Sequence, residues 1–326
     1  MLSYRQKITE LFLQIEGEVG ATGLNGMVLL ALEKAVHNFH EKGDEDFFAQ
    51  FYELLDLVKN TEPRIALVID NLYEVWKALL VAKEKNHPEG HLYWEKQVLS
   101  AIKCSHKIAK EEGKKITKYG VSEIRNNDVI LIHSVSRTVL DVLFAAKKIG
   151  KDFRVIIAEQ ESEKTHYLIE VLSRHDIRFQ VVPEYMLSHI ESEITKIFLG
   201  GITINNQMNV VGDAGSNAIV SEFHLRNSPI YLFISTRKFS LWKSRASHHA
   251  YKVKSMRSFA NAVPITFERI KFSHDRIHLK FYDWIISEKG KMDAKATQQL
   301  YQQKFDERAE WRKEFFRDED KADPMD

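Results

Sequence analysis

The stretch DVILIHSVSRTVLDVLFAAKKIGKDFRVIIAE, residues 128–159, decides the fold. Its apolar run over residues 129–132 has the length and the branched side chains of a buried strand. An amphipathic helix pattern follows over residues 138–148 and stops at Gly150. A second apolar strand comes next, over residues 153–158. This order of strand, helix and strand predicts a βαβ unit of a parallel sheet.

The polar turn between the first strand and the helix is the first candidate for a binding site. It reads His133-Ser134-Val135-Ser136-Arg137 and lies at the carboxyl end of a predicted strand, where parallel sheets bind ligands. Ser134, Ser136 and free backbone N–H groups are expected at the N-terminus of the helix. Such a terminus suits an anion such as phosphate.

The composition describes a globular protein of one large domain or two ordinary ones. Of 326 residues, 44% are hydrophobic and 29% are charged, and the formal net charge is +1. A net charge so close to zero produces no global field that would attract nucleic acid. We therefore expect no DNA partner.

Several features predict a cytoplasmic protein. The single cysteine, Cys104, excludes an internal disulfide framework and is typical of a reducing compartment. Cys104 lies in a helical pattern, where we expect it to be a small buried residue. The charged N-terminal segment lacks the apolar core of a signal peptide, and no apolar run approaches the ~20 residues that span a bilayer. We expect no membrane partner.

The two halves of the chain have different patterns. Residues 1–118 repeat apolar residues at helical spacing, which predicts a helical bundle domain. The charged segment 111–115 is expected to end the last of its helices, which are predicted near residues 27–41, 44–59, 65–86 and 92–112. Residues 119–305 are predicted to form a Rossmann-like domain. The charge-dense residues 306–326 are predicted to be a C-terminal tail.

Strands and helices alternate in the second half. The strand candidates are residues 129–132, 154–158, 179–182, 196–199 and 230–234, and the helical patterns cover 138–148, 164–175, 186–190 and 214–226. Alternation of this kind is typical of βαβ units with helices on both faces of the sheet. The predicted fold class is α/β, with an N-terminal helical domain and a C-terminal Rossmann-like, doubly wound, mostly parallel sheet.

Common catalytic and cofactor motifs are missing from the sequence. No G-x-G-x-x-G follows the first strand and no G-x-x-x-x-G-K-[ST] occurs, so neither a nicotinamide-dependent dehydrogenase nor a P-loop NTPase is expected. His274 and His278 could share a helix face, but the H-E-x-x-H pattern is absent. We therefore predict no metal and no cofactor.

The basic segment 238–257 leaves two interpretations open. It carries Phe239, Trp242 and Tyr251 among its cations, a composition that can indicate nucleic-acid binding. The favoured interpretation is a solvated loop that crosses between strands.

An ordered series of motifs resembles one protein family. The segment ILIHSVSRTVL, residues 130–140, resembles the T-H-x-x-S-R-x-V-L motif of the alpha, beta and delta regulatory subunits of eukaryotic initiation factor 2B. Similar segments follow in family order at residues 155–159 (VIIAE), 176–182 (DIRFQVV), 196–201 (KIFLGG), 208–221, 228–239 and 284–296. The resemblance covers about residues 15–305.

The same superfamily contains methylthioribose-1-phosphate isomerase and ribose-1,5-bisphosphate isomerase, which use a catalytic Cys and a catalytic Asp. The resemblance places Ser134 at the position of the Cys and Ile202 at that of the Asp. Isoleucine cannot transfer a proton, and a serine without a base is a poor acid. A shift of the alignment by a residue would make Asp213 an alternative acid.

Some ligand-binding positions of the family are kept and others are changed. Glu159, Ser136 and Arg137 match the family pattern. The substrate-holding Asn-Lys pair falls at Gly212-Asp213, and an arginine of the enzymes falls near Glu161. Two carboxylates in place of two cations disfavour a phosphate. The resemblance therefore implies a weak anion site at Ser134, Ser136, Arg137, Glu159 and Asp213.

The resemblance implies a non-catalytic regulatory or assembly protein of translation initiation. It implies dimerisation through the C-terminal domain, with itself or with a paralogous subunit. Its expected partners are initiation factor 2 or the exchange complex of that factor. Two alternatives stay open, a sugar-phosphate isomerase and a sensor of a sugar phosphate or nucleotide.

Overall fold

The computed structural model describes residues 4–38, 44–59, 65–85, 87–160, 162–226, 228–242, 250–257, 265–272 and 274–310. Within these residues the α-helices are α1 (Tyr4–Asn38), α2 (Asp44–Lys59), α3 (Ala66–Glu84), α4 (His91–Ser122), α5 (Arg137–Lys148), α6 (Ser162–Arg174), α7 (Ser216–Leu225) and α8 (Ala294–Glu307). The strands are β1 (Asp128–Ile132), β2 (Phe153–Glu159), β3 (Arg178–Pro183), β4 (Lys196–Gly200), β5 (Thr203–Ile204), β6 (Asn209–Asp213), β7 (Ile230–Phe233), β8 (Ala250–Arg257), β9 (Ile265–Phe272), β10 (His274–His278), β11 (Trp284–Ser287) and β12 (Gly290–Met292).

Seven strands form the main sheet, in the order β12-β11-β7-β4-β1-β2-β3. Six of them are parallel, and β12 pairs with β11 in the antiparallel sense. The parallel strands, taken in chain order, follow the 3-2-1-4-5-6 order of the Rossmann fold. The predicted α/β class is confirmed. In this order the topological switch point lies between β1 and β4, where ligands bind in such sheets.

Alternate residues of the central strands pack on opposite faces of the sheet. Ile130 and Ile132 belong to a core that includes apolar residues of α4, α5 and α6. Leu131 and Leu199 belong to a core that includes residues of α3, α7 and α8. Helices therefore cover both faces, as the sequence predicts for a doubly wound sheet.

The helical half has a core of its own. Leu24, Leu72, Leu79 and Val98 come from α1, α3 and α4 and are almost completely buried there. α1 is kinked at Gly20, whose φ of 70° lies in the left-handed region that glycine adopts without strain. An added Cβ at Gly20 would lie 3.4 Å from the carbonyl oxygen of Val135, so the kink brings α1 against the turn after β1.

Two helices are longer than the apolar patterns predict, whereas α2 has the predicted bounds, Asp44–Lys59. α1 begins at Tyr4, and α4 continues through the charged segment 111–115 to Ser122. The predicted end at this segment was wrong because lysine and glutamate are good helix formers and charge alone does not end a helix. Cys104 is exposed on α4, which corrects the expectation that it is buried.

Several strands escaped prediction. β5, β6 and β10 form a small sheet, β8 pairs with β9, and β11 and β12 extend the main sheet. His274 and His278 lie in β10 and not on a helix, and the helix expected at 186–190 is a 3₁₀ turn over Glu184–His189. Strands of two to five residues carry too few side chains for a period to be recognised. β8 and β9 have eight residues each, and β8 lies in the segment that we expected to be a loop.

The basic segment 238–257 is not the solvated loop that we expected. Phe239 and Trp242 are buried in the core of the sheet domain, and Ala250–Arg257 forms β8. Residues 243–249 lie outside the described residues, as do residues 311–326 of the predicted tail. Among the residues that are described, no helix is both long enough and apolar enough to cross a membrane.

Two glycines of α4 allow a matched test of its packing. An added Cβ at Gly120 would lie 2.6 Å from Cγ2 of Val142 and 2.8 Å from Cε1 of Phe233, whereas one at Gly113 would meet nothing within 4 Å. We expect Gly120→Ala to lower the free energy of unfolding by about 1–3 kcal/mol, because the core there is already filled. Gly113→Ala should raise it by about 0.5–1 kcal/mol, the ordinary helix preference for alanine. Urea unfolding of both variants measures the difference, and equal effects would contradict this packing.

Candidate functional site

The turn after β1 joins a strand to a helix within four residues. Ser134 has a positive φ of 76°, and its carbonyl oxygen accepts a hydrogen bond from the N–H of Ser136 at 3.1 Å. The hydroxyl of Ser136 caps α5 by accepting from the N–H of Val139 at 3.4 Å. A Cβ added at Gly200 would overlap the side chain of Ser136, so glycine at the end of β4 lets the turn pack against that strand.

A cleft opens at this switch point between β1 and β4. Its volume is about 490 Å³ including the open mouth. Its walls are the turn after β1, the ends of β4 and β6, the kink of α1 and the side chain of a lysine from the loop after β7. These correspond to residues 134–138, 200–202, 212–213, 20–22 and Lys238. The helical half and the sheet domain therefore build the cleft together.

Four of the five residues predicted for the site line this cleft. They are Ser134, Ser136, Arg137 and Asp213. Glu159 is exposed at the end of β2 and is not among the lining residues. Arg137 is exposed, and its Nε donates to Oδ1 of Asp141 at 3.0 Å on the outer side of α5.

A lysine that was not predicted as a site residue pairs with Asp213. The Nζ of Lys164, on α6, lies 3.0 Å from Oδ1 of Asp213, and both side chains are largely buried. This pair offsets the negative charge that the sequence places beside a would-be phosphate. Glu161, the second carboxylate expected there, lies outside the described residues. Lys164 and Asp213 are 49 residues apart, so no local pattern could have revealed the pair.

Ile202 borders the cleft and also belongs to a hydrophobic core. Its side chain is buried and packs with the core of the helical half. Its N–H donates to the carbonyl of Val211 at 2.9 Å, which fixes the backbone between β4 and β6. The position that the family resemblance assigns to a catalytic Asp thus carries an apolar contact between the two halves of this chain.

Lys238 is a second cleft residue that sequence reasoning missed. It follows β7 in a 3₁₀ turn over Thr236–Lys238, and its Nζ donates to the carbonyl of Gly201 at 2.9 Å. The side chain is buried, which makes its cation more effective than an exposed one because water screens it less. The sequence did contain a sign of this role. Lys238 follows an apolar strand in the segment SPIYLFISTRKF, and strand ends carry ligand-binding residues in such sheets.

The segment that carries Lys238 is held by ion pairs to the helical half. Nε of Arg237 donates to Oδ2 of Asp70 at 2.9 Å, and its Nη2 donates to Oδ1 of Asn71. Arg308, after α8, also pairs with Asp70. On the sheet side, the N–H of Thr236 donates to Oε2 of Glu288 at 3.0 Å. The turn is therefore fixed from both sides.

Buried titratable groups surround this turn. Burial, followed by the nearby carboxylate of Glu288, raises the pKa of Glu112, which accepts a hydrogen bond from Ser235 Oγ at 2.9 Å. Burial also lowers the pKa of Lys304, an effect that Glu288 and Asp70 oppose. Both pKa shifts disfavour the charged form of the group. The polar network between the two halves therefore carries a desolvation cost.

His133 ties the turn to the start of α7. Its Nδ1 lies 2.9 Å from Oγ of Ser216, and its Nε2 lies 3.8 Å from Oε2 of Glu184, without a hydrogen bond. The backbone N–H groups of Gly215 and Asn217 both donate to Oδ2 of Asp275 at 2.9 Å. Because Ser216 and His133 are buried, the arrangement suits a structural link rather than attack on a substrate.

The cleft offers anion binding rather than proton transfer. The N-terminus of α5 and the Lys238 ammonium both favour a negative charge. Among the described lining residues, Asp213 is the only carboxylate, and it is engaged by Lys164. Aldose–ketose isomerisation moves a proton between two carbons and requires an acid and a base. No group of three or more His, Cys, Asp or Glu side chains within the described ranges is placed to hold a metal ion.

Two solved structures share this fold. A chain of the tetrameric eIF2B-beta2-delta2 complex from C. thermophilum superimposes with a TM-score of 0.66 and 13% identity, over 92% of this chain and 95% of that chain. 5-Methylthioribose 1-phosphate isomerase from Pyrococcus horikoshii OT3 gives a TM-score of 0.67 and 15% identity, over 93% of this chain and 87% of the enzyme. At these identities the likeness is one of fold alone.

Sequence comparison gives the family. The delta subunit of translation initiation factor eIF2B from Schizosaccharomyces pombe is 34% identical over 129 residues, which are 39% of this chain and 28% of that subunit. The chain spans less than half the length of the curated relatives that it matches. A family model described as the Initiation factor 2 subunit family matches residues 18–293. This match includes the turn, the cleft and most of both halves, and the chain belongs to the Initiation factor 2 subunit family.

Proposed function

We propose that this chain is a non-catalytic regulatory or assembly subunit of the initiation factor 2B type, which works in the cytoplasm in translation initiation or its regulation. The observation that carries the proposal is the burial of Ile202 in the core of the helical half. A polar acid at this position would have to displace an apolar contact. The pairing of Asp213 with Lys164 leaves the cleft without a free acid or base among its described carboxylates.

The alternative of a sugar-phosphate isomerase has one observation in its favour. The turn with Ser134 and Ser136 keeps the geometry of an anion site at a helix N-terminus. Binding alone does not accelerate a reaction, however, because catalysis requires groups that act on the transition state. This observation supports a sensor of a sugar phosphate or nucleotide more than it supports an enzyme.

We propose further that the chain dimerises through its C-terminal domain, with itself or with a paralogous subunit, and that the assembly acts on initiation factor 2 or its exchange complex. Support comes from the similar fold of a chain in the tetrameric eIF2B-beta2-delta2 complex. Within the segment 265–286, Phe272 and Trp284 remain 52% and 36% exposed. Exposed aromatic side chains are typical of the centres of protein interfaces.

Light scattering at micromolar concentration tests the dimer. We expect a species of twice the 38.0 kDa chain mass. Phe272→Glu should shift it toward the monomer, because a buried charge at an interface is unfavourable. Ile149→Glu is the matched control, since Ile149 is also exposed but lies after α5, outside this segment, and it should leave the mass unchanged. A wild-type protein that shows only the 38.0 kDa species would contradict homodimerisation.

We also propose that the cleft binds a small phosphorylated ligand weakly, at Ser134, Ser136 and Arg137 with Lys238. The amide groups at the start of α5 supply donors and about half a positive charge. Lys164 offsets the negative charge of Asp213. Glu159 does not line the cleft, so its carboxylate opposes the phosphate only from a distance. A doubly charged phosphate is expected to bind in the millimolar to high micromolar range, about −4 to −6 kcal/mol.

Titration with ribose 5-phosphate or AMP during thermal unfolding tests this site. A ligand of the native state must raise Tm in a saturable way. Ser136→Ala and Lys164→Gln should each reduce the ligand-dependent part of the shift, because one removes a donor and the other leaves Asp213 charged and unpaired. Lys148→Gln, at the far end of α5, is the control that removes the same charge as Lys164→Gln, and it should keep the full ligand-dependent shift in Tm. No shift of the wild type at concentrations well above millimolar would contradict the site.

A further inference from the structure

The overall net charge of +1 hides a local concentration of positive charge on α4. Five exposed lysines follow one another along this helix at spacings of three and four residues. We call them the lysine row, and they are Lys103, Lys107, Lys110, Lys114 and Lys118. At 100° and 1.5 Å per residue, they lie within an arc of about 80° and extend over about 22 Å of the helix axis.

The lysine row lies opposite the packed face of α4. Ile102, Ser105 and Ile116 are buried and face the core. Glu112 is half-buried and bonds inward to Ser235, so it does not neutralise the row. The exposed carboxylate beside the row is Glu111, and Lys115 next to it adds a sixth ammonium.

None of the five ammonium groups is neutralised within the described part of the chain. No ion pair or hydrogen bond between described residues engages them. Like charges three and four residues apart destabilise a helix, because their side chains are neighbours on its surface. The row therefore imposes a cost on the isolated chain that a bound polyanion would relieve.

The chemistry of the row favours a linear phosphate polymer over a protein. The centres of protein interfaces are depleted in lysine and enriched in aromatic residues, methionine and arginine, and the row contains lysine alone. Lysine acts as a compact, hydrated point charge, which suits the phosphates of a nucleic-acid backbone and the release of their counterions.

The geometry of the row disfavours a lipid surface. Helices that bind membranes insert a continuous apolar face, whereas Val98, Ile102 and Ile116 of α4 are buried in the fold and only Leu92, Ile108 and Tyr119 are exposed among its described large apolar residues. A single file of charges on a convex helix matches a strand, whereas a flat anionic surface would call for cations spread in two dimensions. Nothing in the row is shaped to enter a groove of a duplex.

We propose that the lysine row of α4 binds the sugar–phosphate backbone of single-stranded RNA. RNA is named rather than DNA because the chain belongs to a family of translation initiation factors. The contact is independent of base sequence, since phosphate contacts position a strand and carry no sequence information. This surface lies on the helical half and is separate from the cleft.

Fluorescence anisotropy of a labelled oligouridine of about 20 nucleotides tests the proposal with the full chain. Each phosphate contact on a single strand contributes about −0.7 to the slope of log K against log salt, so three to five contacts give a slope of about −2 to −3.5. In the triple variant K107Q/K110Q/K114Q, the slope of log K against log salt should become less negative by about 2. Binding at low salt should weaken about tenfold or more.

Two controls separate the row from general charge. K34Q/K77Q/K295Q loses the same charge at exposed positions on α1, α3 and α8 and should bind within about twofold of the wild type. K107R/K110R/K114R keeps the charge on the row and should retain binding. Retained thermal unfolding of all three variants shows that each folds.

Several results would overturn the proposal. Equal weakening of oligouridine binding in both Gln triple variants would show that binding depends on net charge and not on the lysine row. Tighter binding of oligothymidine would favour DNA, tighter binding of polyglutamate would assign the row to an acidic protein, and tighter binding of phosphatidylserine vesicles would assign it to a lipid surface. Absence of oligouridine binding at low salt and tens of micromolar protein would remove the site altogether.

Discussion

The cleft depends on the buried ion pair between Arg237 and Asp70. Both side chains are about nine-tenths buried, so their charges are removed from water and must satisfy each other. Asn71 accepts from Arg237 and donates to Asn25 on α1 at 2.6 Å, which extends the contact to the helix that carries the kink. Removal of one partner would leave a buried, unpaired charge, the most destabilising outcome for such a pair.

This ion pair lies between the two walls of the cleft. Arg237 precedes Lys238, whose ammonium reaches the carbonyl of Gly201 at the end of β4. On the other side, the anchored α1 places Gly20 against the turn after β1. Apolar contacts hold the two halves together as well, since Ala66 and Ile69 of α3 pack in the core that contains the sheet strands.

The switch-point turn was predictable from sequence because its determinants are local. An apolar run, the serine cap at Ser136 and an amphipathic helix pattern lie within about 20 residues, and the structure places them as expected. The family resemblance also identified Ile202 as the position of a missing acid. It could not reveal that Ile202 fills a core of the helical half, since that core is formed by residues from α1 to α4.

The rest of the site lies beyond the reach of local patterns. Arg237 and Asp70 are 167 residues apart, and Lys164 meets Asp213 across 49 residues. Such contacts depend on how the elements dock, and periodicity contains no information about docking. Arg137 lines the cleft as expected, and its guanidinium also pairs with Asp141, one helical turn away on α5.

We infer that the cleft has the geometry of an anion site without the groups for proton transfer. The family resemblance assigns Ser134 and Ile202 to the two catalytic positions of the isomerases, and Ile202 is buried. The most direct measurement is an overnight turnover assay of the full chain with 5-methylthioribose 1-phosphate and with ribose 1,5-bisphosphate. We predict no ketose product above the protein-free control. Turnover that vanishes in Asp213→Asn would contradict the account, because it would make Asp213 the catalytic acid.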